Sequence, residues 1–133
     1  MMTATYFDKR AYEPIDDIDK VSCRPDFAVV VYPGYLVPED MNTDVLASYI
    51  RIPPGTPPMF LVQATDDPES GPENSVSMYL ALKRAHVPVE LHVYAAGGHG
   101  FGVRKSSLPC STWPDRCLAW LRSQGVLNKA TDR

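Results

Sequence analysis

Three residues in this sequence have the types and the setting to move a proton: Asp66, Asp67 and His99. His99 stands in the run Gly97-Gly98-His99-Gly100-Phe101-Gly102, directly after an apolar segment that alternates like a strand. Glycine tolerates positive φ and lets other backbone come close. An imidazole on such a turn is exposed and clear of its neighbours, placed as a base would be. Asp66 and Asp67 follow a second apolar run and precede Pro68. A carboxylate bonded to an imidazole fixes its tautomer and stabilises the imidazolium that forms when the ring takes a hydroxyl proton in acyl transfer. Taken singly, Asp-Asp-Pro is ordinary turn chemistry, and a histidine among glycines is merely solvated. Taken together, they are a candidate acid–base pair.

The pair requires elements that bring residues far apart in sequence to one place. Residues 27–32 form a continuous apolar, β-rich run stopped by Pro33-Gly34. Residues 58–64 form a second such run. Apolar runs without alternation suit strands buried on both faces of a parallel sheet. Residues 89–95 alternate and predict a third strand nearer an edge. Between the second and third, residues 74–86 predict a helix with Asn74 or Ser75 as cap and Val76, Tyr79, Leu80 and Ala85 on its apolar face. A last helix is expected over 113–125, opened by Trp113-Pro114, with Trp113, Cys117, Trp120 and Leu121 inward and Gly125 as C-cap. Strand, helix and strand over 58–95 make a right-handed crossover unit. In open sheets of this kind, functional groups gather beyond the C-terminal ends of the strands, where the aspartates and His99 both fall.

The remaining segments read as connections. Met1 to Asp8 suits the last turns of a helix. Asp16, Asp17 and Asp19 lack the ligand pattern of a calcium loop and read as a solvated cluster. Residues 35–57 form a long loop, with room for a short helix or strand near Asp44 to Ile52; loops of that length are usually functional or cover something. Tyr35 opens it, either lining a cleft or simply exposed. Residues 105–112 read as an exposed connector and 126–133 as a frayed tail. His86 and His92 fit no zinc spacing and read as surface or half-buried.

The 133 residues carry 13 basic and 16 acidic side chains, a net charge of −3, with hydrophobic residues at 44%. That is a small globular domain with one core. Neither a basic face nor a Lys/Arg run stands out, which argues against nucleic acid as a partner. The longest apolar run is far too short to span a membrane, and the first residues are not an export signal, so compartment stays open. Cys23, Cys110 and Cys117 fit no zinc site; either one pair bridges or all three are free thiols.

Several of these segments, read together, resemble the C-terminal half of an α/β-hydrolase of the esterase/lipase type, closest to acetyl- or feruloyl-esterase-like and prolyl-oligopeptidase-like members. The resemblance rests on residues 24–34, 60–68, 73–75, 82–94 and 97–102 and on Trp113-Pro114, and it covers nearly all of 5–125. It implies a partial α/β-hydrolase fold, residues 1–133 being the C-terminal portion of one domain. It implies a serine ester hydrolase with Asp66 as triad acid, His99 as base and Asp67 as a turn residue beside them, acting on a small ester without metal or other cofactor. The family's nucleophile is a serine in G-x-S-x-G, ahead of the acid in the chain. No such pentapeptide occurs in this sequence; Ser106, Ser107 and Ser111 follow His99 and break the order. The expectation is therefore acid and base without nucleophile or oxyanion hole. The alternative is a non-catalytic remnant serving as an interaction module. In the family, the 27–32 strand pairs with the strand bearing the nucleophile. Its apolar edge, Phe27–Tyr32, is therefore expected to pair with other chains.

Overall fold

The computed structural model describes residues 1–38 and 45–127. Three strands, β1 (Ala28–Val31), β2 (Met59–Ala64) and β3 (Val89–Tyr94), form one parallel sheet in the order β1-β2-β3. The register pairs Ala28 with Met59 and Met59 in turn with Val89, so the strands start nearly level and their C-terminal ends share one rim. All six residues of β2 are buried. Both neighbours have lower burial: β3 lies at an edge as its alternation predicts, but the unbroken apolar run of β1, expected to be buried on both faces, also forms an edge strand, with Val29 exposed.

Helices cover both faces. Met59 and Leu61 of β2 pack with Met78 and Leu82 of α2 (Glu73–Arg84), beside Ala4 of the short helix α1 (Met2–Thr5). Phe60 and Val62 point the other way, against Trp113, Cys117 and Trp120 of α3 (Trp113–Ser123). The i, i+4, i+7 positions expected to face inward on α3 do so. Fully burying a side chain such as Phe60, 0% exposed, contributes on the order of 2–3 kcal/mol. These two layers fix the sheet from above and below and leave its rim to the loops.

Several local expectations change. The cap of α2 is Pro72, and Asn74 and Ser75 lie inside the first turn, buried. Their side chains are spent on neighbours: Asn74 Oδ1 accepts from Leu36 N at 2.7 Å, and Ser75 Oγ donates to Gln63 Oε1 at 3.2 Å. The buried stripe of α2 is Ser75, Met78 and Leu82, while Val76 faces outward. Small polar residues with partners serve a close helix–sheet contact, and hydrophobicity alone misplaces the stripe. The α3 helix ends at Ser123, two residues before the expected end, and Gly125 caps it as expected, with φ +71° and its N–H donating to Arg122 O at 3.1 Å. The 105–112 connector contains a 3₁₀ turn, Pro109–Thr112, that buries Cys110. No helix or strand forms over 45–57; the rest of the element expected near 44–52 lies outside the described residues, as does most of the 126–133 tail. The acidic cluster is bonded within itself: Asp16 caps a 3₁₀ turn, Ile18–Lys20, Asp17 pairs with Lys20, and Asp19 accepts from Tyr12 and Ile15. All three cysteines are free. His86 is exposed and His92 half-buried, as expected.

Candidate active site

At the rim, β2 ends at Ala64 and the chain turns through Thr65-Asp66-Asp67-Pro68. Successive residues of this turn point different ways. Asp66 reaches across the end of β3, where Oδ1 accepts the backbone N–H groups of Gly97 and Gly98, both at 2.8 Å. Asp67 folds back over the sheet and meets His99. Nδ1 of the imidazole lies 2.9 Å from Asp67 Oδ2 and 3.2 Å from Oδ1. The contact expected of Asp66 is thus made by Asp67, and the turn-holding role expected of Asp67 falls to Asp66. Sequence adjacency made the two interchangeable; the direction of a tight turn decided between them.

Asp67 is held on every side. Its Oδ1 accepts from Glu69 N and Ser70 N, each at 2.9 Å, and Oδ2 accepts from Gln63 Nε2 at 3.1 Å. Its side chain is fully buried, while that of His99 is one-third exposed. Burial pushes the Asp67 carboxyl up, but the Glu69 and Ser70 backbone donors and then His99 outweigh it, so the group sits below its ordinary value. Hydrogen bonds to the charged form act in that direction. The result is a fixed carboxylate that orients His99 through Nδ1 and leaves Nε2 outward. The nearest ionic neighbour of Nε2 is the exposed Glu69 carboxylate, 3.9 Å away.

A Cβ on Gly97 would lie 3.1 Å from both Ala64 Cβ and Phe101 Cδ1 and 3.2 Å from Cys110 Sγ. Gly98, Gly100 and Gly102 all have positive φ. Trp113 Nε1 donates to Gly102 O at 2.7 Å, tying the loop to the start of α3. The ring of Tyr32, whose own φ is +40°, packs 4.9 Å from the His99 ring and 5.1 Å from that of Phe101. Strain of this kind persists where surroundings over-determine it, commonly at functional sites.

Sequence reasoning passed over Gln63, Glu69, Ser70 and Tyr32. One had a signal: Gln63 is the single polar residue in an otherwise apolar central strand. With no side-chain exposure, it donates to Asp67 and to Ser70 O and accepts from Ser75. Among the described residues, no cluster of three or more His, Cys, Asp or Glu is arranged to hold a metal ion. No helix among them is long and apolar enough to cross a membrane.

A parallel sheet between helices, with a buried carboxylate and an outward imidazole at its C-terminal rim, is the architecture of an α/β-hydrolase. Residues 10–125 match the prolyl oligopeptidase family, and the chain belongs to that family of α/β-hydrolases. Solved structures agree on the fold. An acetyl ester-xyloside bifunctional hydrolase from Caldicellulosiruptor lactoaceticus superposes with a TM-score of 0.76 at 30% identity, over 96% of this chain and 53% of that one. Esterase 2 of Thermogutta terrifontis, solved phosphorylated by paraoxon, gives 0.73 at 23% identity, over 96% and 50%. The carboxylesterase Cest-2923 from Lactobacillus plantarum WCFS1 gives 0.62 at 21% identity, over 78% and 46%. The chain thus spans about half the length of the solved proteins it resembles. A comparison with curated proteins finds no match.

Proposed function

We propose that this chain is the acid–base portion of a serine ester hydrolase, a single C-terminal portion of one hydrolase domain, with His99 as base, Asp67 as the acid that orients it, and Asp66 as the residue that holds the glycine loop. The single observation carrying this reading is the His99 Nδ1–Asp67 Oδ2 hydrogen bond of 2.9 Å, made by a carboxylate with no side-chain exposure. In the reaction, His99 Nε2 takes the proton of a serine hydroxyl as its oxygen attacks the ester carbonyl. It then gives that proton to the leaving alkoxide as the tetrahedral intermediate collapses to the acyl-enzyme. Water, activated by the same nitrogen, releases the acid. Asp67 stays ionised throughout and stabilises the imidazolium.

The serine belongs to a segment outside these 133 residues. Its docking place is the outer side of β1, where Met1, Met2, Val29, Val31 and Ile50 line an apolar recess of about 510 Å³. A strand paired there would continue the parallel sheet, and its C-terminal end would reach the same rim as His99. Because this sequence has no G-x-S-x-G, a second reading is a remnant in which the pair no longer acts.

The test is hydrolysis of 4-nitrophenyl acetate by four proteins: the 133-residue chain, a polypeptide that joins it to an upstream in-frame segment containing Gly-x-Ser-x-Gly, and the His99→Ala form of each. The chain alone is expected to match its His99→Ala form. The joined polypeptide is expected to turn over, and to lose turnover with His99→Ala. Turnover by the chain alone that depends on His99 would overturn the assignment of the serine. An upstream region with stop codons in every frame would leave the remnant reading in its place.

A further inference from the structure

The loop that leaves β1 is pinned into an unusual shape beside His99. Tyr35 has φ +60°, a conformation that costs a bulky L-residue on the order of 1–3 kcal/mol. It is held there from both sides. Tyr49 Oη donates to Tyr35 O at 2.5 Å, and the buried Asn74 accepts from the next two backbone N–H groups, Leu36 at 2.7 Å and Val37 at 3.3 Å. Asn74 Nδ2 in turn donates to Gly71 O at 3.1 Å. Both ends of this amide are therefore occupied, and it offers nothing to a ligand. The outcome is a Tyr35 side chain left 87% exposed, a large aromatic surface fixed in place by backbone strain and a buried amide.

That ring lines a cleft of about 760 Å³, within the usual size of small-molecule sites. Among the described residues its walls are mainly apolar and include Val37, Val45 and Leu46 with the two tyrosines. Among the described residues, Glu69 is the single charged one lining it. Its carboxylate also lies 3.9 Å from His99 Nε2, so Glu69 links the cleft to the nitrogen that would face the reacting ester. Ser48 adds one hydroxyl to the lining.

We infer that this cleft is the subsite for an uncharged, apolar substituent of the ester, larger than acetyl, and that Glu69 at its mouth rejects anionic substituents. The inference rests on His99 being the base of the proposed hydrolase, since that orients the cleft toward the reacting bond. Each methylene buried against apolar walls tightens binding roughly fourfold. A carboxylate held a few ångströms from a second one, near water, weakens it roughly fivefold. Chain length should therefore dominate binding, with charge as the second filter. The substituent arrives either on the acyl or on the alcohol side, and the two are separable.

Binding needs no nucleophile, so the isolated chain is the test object. Backbone amide shifts are followed by NMR on adding methyl acetate, methyl hexanoate (acyl side), hexyl acetate (alcohol side) and the anionic monomethyl adipate. At least one of the six-carbon neutral esters is expected to bind roughly tenfold or more tighter than methyl acetate, with shifts at Tyr35, Leu46 and Tyr49. Which one does so assigns the side. Monomethyl adipate is expected to bind roughly fivefold weaker than methyl hexanoate, and Glu69→Gln to remove that difference. Tyr35→Gly relieves the strain and deletes the ring, and is expected to abolish the chain-length preference while the rest of the spectrum stays folded. Equal binding of short and long esters, or shifts elsewhere on the surface, would overturn the subsite. If the joined polypeptide hydrolyses esters independently of His99 while this binding persists, the acid–base reading fails and the cleft stands.

Discussion

Two regions of the molecule stand in contrast: the rim beyond β2 and β3, and the outer side of β1. At the rim the polar groups are matched. Asp67 receives four different donors, Asp66 receives two backbone N–H groups, and Gln63 is bonded through both ends of its amide. At β1 the known bonds run to one side. Ala28 N donates to Pro58 O at 2.9 Å and Tyr32 N to Val62 O at 2.7 Å, both toward β2, and Val29 is 36% exposed. One region is satisfied within the chain; the other is an edge strand of the described sheet. A parallel strand satisfies its hydrogen bonds only through neighbours on both sides, whereas a turn can satisfy a carboxylate locally. That is the physical reason the polar groups around Asp67 can be satisfied within this chain while β1 remains an edge strand.

The largest effect that would sharpen this contrast is catalytic. In a polypeptide that carries the serine, Asp67→Asn should lower kcat by about 10⁴-fold, and Asp66→Asn, which leaves His99 its partner, by no more than about tenfold. The reverse order in an ester-hydrolysis assay would return the acid to Asp66 and break the account of the rim. Next in size, Gln63→Leu strips the interior of its hinge group and leaves Asp67, Ser70 O and Ser75 each short of one bond. A loss of about 2–3 kcal/mol in urea unfolding is expected, and a neutral result would mean the matching is not structural.

Acid should act through the same carboxylate. The folded-state pKa of Asp67 is depressed, first against burial and then by the Glu69 and Ser70 donors and His99. A depressed carboxylate contributes its stability above its unfolded pKa, about 4, and loses it as pH falls through the folded value. Stability measured by urea unfolding should therefore fall on acidification below pH about 4, and less steeply in Asp67→Asn. An identical slope in the two would show that Asp67 carries no such linkage. The smallest expected change in stability belongs to the edge. Val29→Lys should alter unfolding by no more than about 0.5 kcal/mol, yet shift the chain toward monomer in sedimentation velocity, because a charge on an open strand opposes pairing. Wild type that sediments as a monomer at all concentrations would remove the edge from the contrast.

Much of the frame was legible in residues alone. The three strands, their parallel order and the two flanking helices followed from unbroken or alternating apolar runs and from Pro and Gly at their ends. His99 stood out because four glycines around one histidine are a costly choice for an ordinary loop. The helix stripe was less legible. Ser75 and Asn74 look like surface residues until Gln63 and the backbone of Leu36 supply their partners.

The order of residues determined that a carboxylate and an imidazole would end neighbouring strands at one rim, since strand direction and register follow from patterning and chirality. It did not determine which carboxylate. Asp66 and Asp67 are identical in type and adjacent, so no composition, period or spacing separates them. The choice was made by the folded turn, in which two backbone N–H groups, a buried glutamine and the imidazole converge on one aspartate while the other spans to the glycine loop. The orientation of a side chain in a tight turn depends on what surrounds it, and those surroundings come from two separate stretches of chain, residues 63–70 and 97–99.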